Sequence, residues 1–327
     1  MIAASTTSTP QVSIVVATHN RSVRLEALLR ALRTQNIGRN ALEVIVVDDA
    51  SDDSTQLVLQ GELTRGDLDL TILRNETTQG PAQARDRGWR AARSDVIAFT
   101  DDDCEPDPDW LTSGLQSLRA SPGTFVQGRT EPIPAERGRI GPFTRTIEVR
   151  EQDAGFQTCN IFYPRALLQK VDGFDTAVFG RAPGGEDADL GWRVLAAGAR
   201  AKFEPEALVY HAVNELGPVG KLRVAGRWTT PMRAYVRHPE LRRAHFVKGL
   251  FWKGSHYLLA RAALAVLLPA RLRWLGPWLG LPYLQEIEHR RQHDRAGPWI
   301  LPYYLIHDIV ECWAIVRAAV RYRHPMI

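Results

Sequence analysis

The sequence predicts an α/β protein: a mostly parallel central sheet flanked by helices, followed by a helical, amphipathic C-terminal region. Three observations predict it. Apolar, β-branched runs alternate with helix-period segments through the first part of the chain, charge divides sharply near residue 214, and tryptophans crowd into the region beyond that point.

VSIVVAT (12–18) is apolar without polar alternation, as a strand covered on both faces requires. Leu25, Leu28, Leu29 and Leu32 then recur at helical spacing, with Asn20 as the expected N-cap. LEVIVVDD (42–49) is a second buried strand, and DDSTQLVLQGEL opens a second helix with Asp and Ser in its first turn. LTIL (70–73) is a third strand, the Ala- and Arg-rich stretch 81–93 a third helix, and VIAFTDDD (96–103) a fourth strand. Farther along, Glu186-Asp187 open a helix carrying Leu190, Val194 and Leu195, and FEPEALVY reads as a strand ending at His211. No long internal repeat is visible, which excludes a solenoid.

Strands joined by helical crossovers run parallel, and such sheets bind ligands outside the carboxyl ends of their strands. Three of those ends are polar here: Thr18-His19-Asn20, Asp48-Asp49-Ala50-Ser51 and Asp101-Asp102-Asp103. All three are expected along one rim. Consecutive carboxylates repel one another unless a cation offsets them, and hard oxygen donors suit Mg²⁺ or Mn²⁺. The competing reading is a solvated acidic turn that caps the next helix. Asp49 serves equally as a turn or capping residue and as an acceptor for a base or ribose. Asp187 lies in the first turn of its helix, where the dipole keeps a carboxylate ionised; it reads as a cap or as a general base. His211 is either structural or completes a metal site begun by carboxylates.

The 327 residues are 44% hydrophobic and 24% charged with a formal charge of +4, which excludes a disordered or collagen-like chain. Cys104, Cys159 and Cys312 are too few and scattered for a disulfide framework; a reducing compartment is expected, with Cys159 as a packing residue. MIAASTTSTPQ has neither the cationic start nor the apolar run of a secretion signal, so no export is expected. Residues 1–214 carry a net −7 and residues 215–327 a net +11, with six of the nine tryptophans in the latter. Within 256–284 the longest uncharged stretch, Trp274–Gln285, has 12 residues, short of the ~20 that a bilayer span needs. Within 303–324, Ile306, Ile309, Val310, Trp313 and Val316 make one stripe while Asp308, Glu311 and Arg321 lie elsewhere. Tryptophan, leucine and arginine together suit a membrane–water boundary. The alternative is a helical subdomain that packs its apolar faces against the catalytic domain. No nucleic-acid reader motif is present, so nucleic acid is not an expected partner.

The blocks SIVVATHNR, VIVVDDASDDST, RNETTQGPAQARDRGWRAARSDVIAFTDDD, PDWL, TCNIFYPRALLQKVDGFD and GGEDADLGWR…GAR…FEPEALVYH jointly resemble family 2 glycosyltransferases of the GT-A fold. The resemblance spans residues 11–211 with every block in family order. It implies a catalytic domain over 1–214, with a nucleotide-binding half at about 11–110 and an acceptor half at about 111–214. It further implies an inverting transferase using a nucleotide-sugar donor, UDP first among nucleotides, and Mn²⁺ or Mg²⁺.

Residue by residue, the resemblance implies that Asp49 meets the nucleobase and that Ala17 and Thr18 belong to the strand end against which the nucleotide packs. Ala17 replaces the proline of many members. Arg74 falls where a basic residue approaches the nucleotide. Asp101 and Asp103 match the ends of the DxD motif, Asp103 coordinating the metal directly, and Asp102 is its variable middle on the cofactor side. His211 matches a histidine that ligates metal in some members. Asp187 matches the catalytic base, with Glu186 and Asn160 on the acceptor side. APGG (182–185) either closes over substrate or forms a static turn. The expected acceptor is a hydroxyl, lipid-linked if the basic tail (215–327) meets a membrane, and the expected location is cytoplasmic, peripheral to the inner face of the cell membrane. Two competitors are a sugar nucleotidyltransferase and an inactive nucleotide-sugar-binding scaffold. The first calls for a glycine-rich loop that ATHNRSVRLE lacks; the second need not retain Asp49, Asp101, Asp103 and Asp187.

Overall fold

The computed structural model describes residues 9–180 and 184–327. The start of MIAASTTSTPQ, and Ala182-Pro183 of the APGG loop, lie outside the described residues. The chain forms two compact units. One comprises residues up to Ala135 together with Thr146–Ala212, the other Glu136–Arg145 together with Val213–Ile327.

The strands in chain order are β1 (Val12–Thr18), β2 (Leu42–Asp48), β3 (Leu70–Arg74), β4 (Val96–Thr100), β5 (Cys104–Pro106), β6 (Thr124–Pro132), β7 (Thr144–Arg145), β8 (Asn160–Pro164), β9 (Arg200–His211) and β10 (Asn214–Glu215). All but β7 and β10 join one sheet of the first unit, in the order β3-β2-β1-β4-β8-β6-β9-β5. The first four run parallel, β8 is antiparallel to β4 and β6, β6 and β9 are parallel, and β5 lies antiparallel on β9. Helices α1 (Ser22–Arg33), α2 (Thr55–Arg65), α3 (Pro81–Ala91), α4 (Trp110–Ala120), α5 (Arg165–Lys170), α6 (Thr176–Phe179) and α7 (Glu186–Ala196) accompany the sheet. β1 pairs with β2 along its whole length, setting Thr18 opposite Asp48, and β4 flanks β1 on its other side. The polar ends of β1, β2 and β4 therefore share one rim, as the alternation of elements predicts.

The core explains the apolar runs. Ile14 and Val16 of β1 and Val44 and Val46 of β2 are buried in one cluster with Leu25, Leu28, Leu29 and Leu32 of α1. Trp110 of α4 leans on Phe162 of β8, ring centroids 5.2 Å apart, and its indole N–H donates to Asn160 Oδ1 at 2.8 Å. A buried tryptophan needs such a partner for its one donor.

Several expectations are corrected. Asn20 does not cap α1: it sits at φ +53°, and its Oδ1 accepts the Asp52 N–H instead (2.8 Å). Asparagine tolerates that left-handed backbone, and the loop after β2 competes for its side chain. Asp53 of the same loop accepts the Ser22 N–H at 3.1 Å, so the start of α1 is satisfied from another part of the chain. β2 ends at Asp48, and β4 ends at Thr100, leaving Asp101–Asp103 in the turn to β5. α2 begins at Thr55, after the acidic stretch expected in its first turn. β6 and β8 carry no expectation, since the Gln127-Gly128-Arg129 interior of β6 breaks any apolar run.

In the second unit β7 and β10 pair antiparallel, followed by α8 (Gly217–Ala225), α9 (Met232–Arg237), α10 (Pro239–His245), α11 (Gly254–Leu267), α12 (Gly276–His293) and α13 (Leu301–Tyr322). Tyr283, Ile287, Ile300 and Tyr304 form a small core. Of the stripe of α13, Ile306, Ile309 and Trp313 are exposed and Val310 and Val316 half-buried, while Asp308 and Glu311 are buried.

Close packing in the first unit yields a test. A Cβ on Gly114 would stand 2.4 Å from the Phe162 ring, whereas one on Gly61, inside α2, meets nothing within 4 Å. Gly114→Ala is expected to lower stability by about 1–3 kcal/mol through overpacking. Gly61→Ala is expected to raise it by roughly 0.5–1 kcal/mol. Urea unfolding midpoints of the two variants, moving in opposite directions, check both.

Candidate active site at the sheet rim

Four segments deliver charged side chains to the rim. The β4–β5 turn supplies Asp101, Asp102 and Asp103, and the residues leading into α1 supply Arg21. α3 contributes Arg85, and the first turn of α7 contributes Glu186 and Asp187. Gly184 (φ +116°) and Gly185 (φ +91°) make the approach to α7, a backbone path that a side chain would strain. His211 arrives by register: β5 pairs antiparallel with the end of β9, setting His211 opposite Cys104 and beside Asp103.

Two arginines organise the carboxylates. Arg21 Nη1 donates to Asp102 Oδ1 at 3.0 Å and reaches Asp103 Oδ2 at 2.6 Å. Asp102 Oδ2 also accepts the Thr18 hydroxyl at 2.8 Å, tying the end of β1 to the acidic turn. Arg85 is buried, with Nη2 on Asp101 (2.7 Å) and Nη1 3.4 Å from Glu186 and 3.7 Å from Asp187. One guanidinium thus brings together the start of the acidic triplet and the Glu186-Asp187 pair, residues more than eighty positions apart in sequence.

Asp187 is placed unusually for a capping carboxylate. Its Oδ2 accepts the Thr158 N–H at 3.2 Å, while its Oδ1 is buried with no hydrogen-bond donor. Burial pushes its carboxyl up to about 7, with the Glu186 charge adding to the effect and Arg85 opposing it. Asp102 is likewise raised to about 7 by burial, against Arg21 and with Asp103 adding. Glu186 Oε2 accepts the Gly184 N–H at 2.6 Å and so closes the turn before α7.

The donor set at Asp103 suits a divalent cation. His211 Nδ1 lies 2.8 Å from the Ala212 carbonyl, which only accepts, so Nδ1 carries the proton. Its Nε2 lies 3.4 Å from Asp103 Oδ1, close enough for the two to share a metal ion. Cys104 completes the cluster in space, but burial raises its thiol well above the usual range and keeps it protonated, a poor ligand for a hard metal.

On the β2 side, Asp49 is committed to the turn before α3: Oδ1 accepts from Asn75 Nδ2 (2.6 Å) and Gln79 N (2.8 Å), Oδ2 from Gly80 N (2.8 Å). Arg74 ion-pairs with buried Asp48 and donates to the Ser51 carbonyl at 2.9 Å. Ala17 lies beside Val47 at the end of β1. Asn160 is engaged by the scaffold, its amide donating to the Arg129 and Ala207 carbonyls at 2.7 and 2.8 Å while its oxygen holds Trp110. It fastens β8 to β6 and to the irregular turn of β9. Sequence reasoning misses Arg21 and Arg85. For Arg85 a signal exists: it is an arginine on the face of α3 that also carries Ala82 and Trp89, all three buried.

Residues 13–177 match the model of glycosyl transferase family 2. The pre-mycofactocin glycosyltransferase of Mycobacterium tuberculosis is 30% identical over 212 residues, covering 61% of this chain and 42% of that protein, so the chain spans less than half its length. A Campylobacter jejuni GalNAc(5)-diNAcBac-PP-undecaprenol β-1,3-glucosyltransferase is 34% identical over 96 residues, 29% of this chain and 30% of that protein. Among solved structures, the mannosyltransferase PcManGT of Pyrobaculum calidifontis, in complex with GDP-Man and Mn²⁺, superposes with a TM-score of 0.64 at 24% identity, covering 93% of this chain and 87% of that one. That likeness carries the GT-A fold. With the family's blocks in order along a sheet of this topology, the chain belongs to glycosyl transferase family 2.

Proposed function

We propose that this chain transfers a sugar from a nucleotide diphosphate donor to a hydroxyl acceptor by a single displacement with inversion. The observation that carries the reading is Asp187 Oδ1, an acceptor buried without a donor, at a rim where Arg85 ties the same side chain to Asp101. In this reading the acceptor hydroxyl gives its proton to Asp187 Oδ1 while its oxygen attacks the anomeric carbon. The bond from that carbon to the diphosphate oxygen breaks on the opposite face, and the diphosphate leaves with the electron pair. One base suffices, and no covalent enzyme intermediate forms. Cys159, buried with its thiol raised well above the usual range, supplies no nucleophile.

Asp103 and His211, with Asp101 beside them, are the residues that would hold a divalent cation; when bound, Mn²⁺ or Mg²⁺ supplies charge compensation for the leaving diphosphate. Thr18 and Ala17 would line the nucleotide side, and Asp49 and Arg74 would hold the turns that the base packs on. Glu186 would shape the acceptor side through its turn, and Asn160 through the strands it fastens. The GDP-Man and Mn²⁺ of the archaeal structure support a nucleotide sugar with a metal, and both UDP- and GDP-sugars are candidates. The undecaprenol-linked acceptor named for the Campylobacter relative supports an amphiphilic acceptor and work at a membrane, which in this reading is the inner face of the cell membrane.

Asp187→Asn is expected to lower kcat by about 10²–10⁴-fold while leaving donor affinity within twofold. Because the carboxyl is raised in the fold, ionising it costs stability above its unfolded pKa, so the variant's Tm at pH 8 is expected to be equal or higher. Turnover within a few-fold of the parent removes Asp187 from the reaction. For the parent, kcat/KM should fall as pH drops below about 7, where the base takes up its proton. A panel of UDP- and GDP-sugars, each with and without Mn²⁺ and read by thermal shift, tests the donor. One donor should stabilise the fold only with metal, and His211→Ala and Asp103→Asn should abolish that dependence. Stabilisation by every nucleotide alike, indifferent to metal, rejects the cation site.

A further inference from the structure

We propose that the second unit docks on an anionic bilayer by the outer face of α13, lying along the surface without crossing it. This deepens the membrane placement given above and rests on it only for location, because the transfer chemistry is tested separately.

α13 carries apolar side chains on its outer face as well as on its inner one. Leu305, Ile306, Ile309, Trp313 and, two turns on, Val320 are between 38% and 75% exposed, a stripe along about 23 Å of helix. The opposite face holds the helix's two acids, buried and satisfied. Asp308 accepts from Arg290 at 2.9 and 3.0 Å and from the Tyr283 hydroxyl at 3.2 Å. Glu311 accepts from Lys253 at 2.7 and 2.8 Å and lies 3.1 Å from His256 Nε2. The same inner face buries Tyr304, Ala314, Ile315 and Ala318, so the outer stripe is apolar area beyond what the core needs, left in water at a cost of about 25 cal/mol per Å². The orientation is fixed by ion pairs to α12, to the start of α11 and to the lysine preceding it. Unscrewing it would break several charge-assisted bonds.

Charge identifies the occupant. Arg317 and Arg321 lie at the end of the stripe, and with Trp313, Val316 and Val320 they line a groove of about 360 Å³. A second exposed aromatic group, Trp274 and Trp278, stands next to Arg271 and Arg273. Apolar surface rimmed by arginine, in a region of net charge +11, matches acyl chains beneath anionic headgroups. A second copy would set like charges against each other across a two-fold interface. Among the described residues one helix, Pro298–Tyr322, is long and apolar enough to cross a bilayer. Crossing would strip Asp308 and Glu311 of their partners on α11 and α12, so a surface position is favoured.

The test is sedimentation of the full chain with vesicles of phosphatidylglycerol and phosphatidylcholine, against phosphatidylcholine alone, with donor thermal shift measured on the same samples. The parent should bind the anionic vesicles and release in alkaline carbonate. Ile309→Glu with Trp313→Glu should lower partitioning about tenfold or more, and Arg317→Glu and Arg321→Glu about fivefold each, with Tm and donor shift unchanged. Failure of the parent to sediment, resistance to the carbonate wash, or a dimer that the glutamate variants abolish while vesicle binding persists would each overturn the proposal. Loss of the donor shift in the parent with vesicle binding intact would instead overturn the transferase reading.

Discussion

The first unit is governed by the need to hold like charges together. Asp101, Asp102, Asp103, Glu186 and Asp187 converge on one sheet rim, and two guanidinium groups, Arg21 and Arg85, balance them. A desolvated carboxylate without a partner costs several kcal/mol, so this clustering survives only because each arginine serves more than one acid. The fold is arranged around that sharing. The parallel strands align the acidic ends, α3 carries Arg85 beneath them, and the glycine turn at 184–185 brings the start of α7 within its reach. The charge left over is negative, and Asp103 and His211 stand beside it as a pair that could hold a cation.

Much of this is legible in the residues because it is written locally. VSIVVAT, LEVIVVD and VIAFT have to be buried strands: no polar side chain interrupts their interiors apart from Ser13 and Glu43, and the structure shows those two hydrogen-bonded to each other at the buried end of the sheet. Parallel topology then places their polar ends together. What escapes sequence is the long-range pairing. β6 reads as polar because Gln127, its interior side chain, is buried by bonding to Gln157 and Asp153, partners twenty-six or more residues away. Arg85 looks like one more arginine in an arginine-rich helix, and only the packing of α3 on β1 and β2 gives it three acids. Asn20 offers a good cap in isolation, yet a neighbouring loop takes its side chain from the helix.

The second unit shows the complementary failure. The periodicity of 303–324 identifies a two-faced helix correctly, but period alone does not say which face turns inward. Hydrophobicity would bury Ile306 and Ile309 as it does Ile315. Ion pairs bury Asp308 and Glu311 instead: burial by itself would raise both carboxyls, but His307 and Arg290 for the first, and His256 and Lys253 for the second, hold each at about 2. Paired acids of that kind are charged at every physiological pH, so the orientation they impose is permanent. The exposed apolar face is the consequence of that choice.

The same imbalance that collects acids at the rim also sets the state of the proposed base. Asp187 is raised because Glu186 and Asp101 together outweigh the single guanidinium they share with it, on top of the cost of burial. Arg85 makes its shortest bond, 2.7 Å, to Asp101. Its other nitrogen reaches Glu186 and Asp187 at 3.4 and 3.7 Å, so one guanidinium couples the charge of Asp101 to that of the proposed base. An arginine suits that position better than a lysine because its planar fork holds acids in two directions at once.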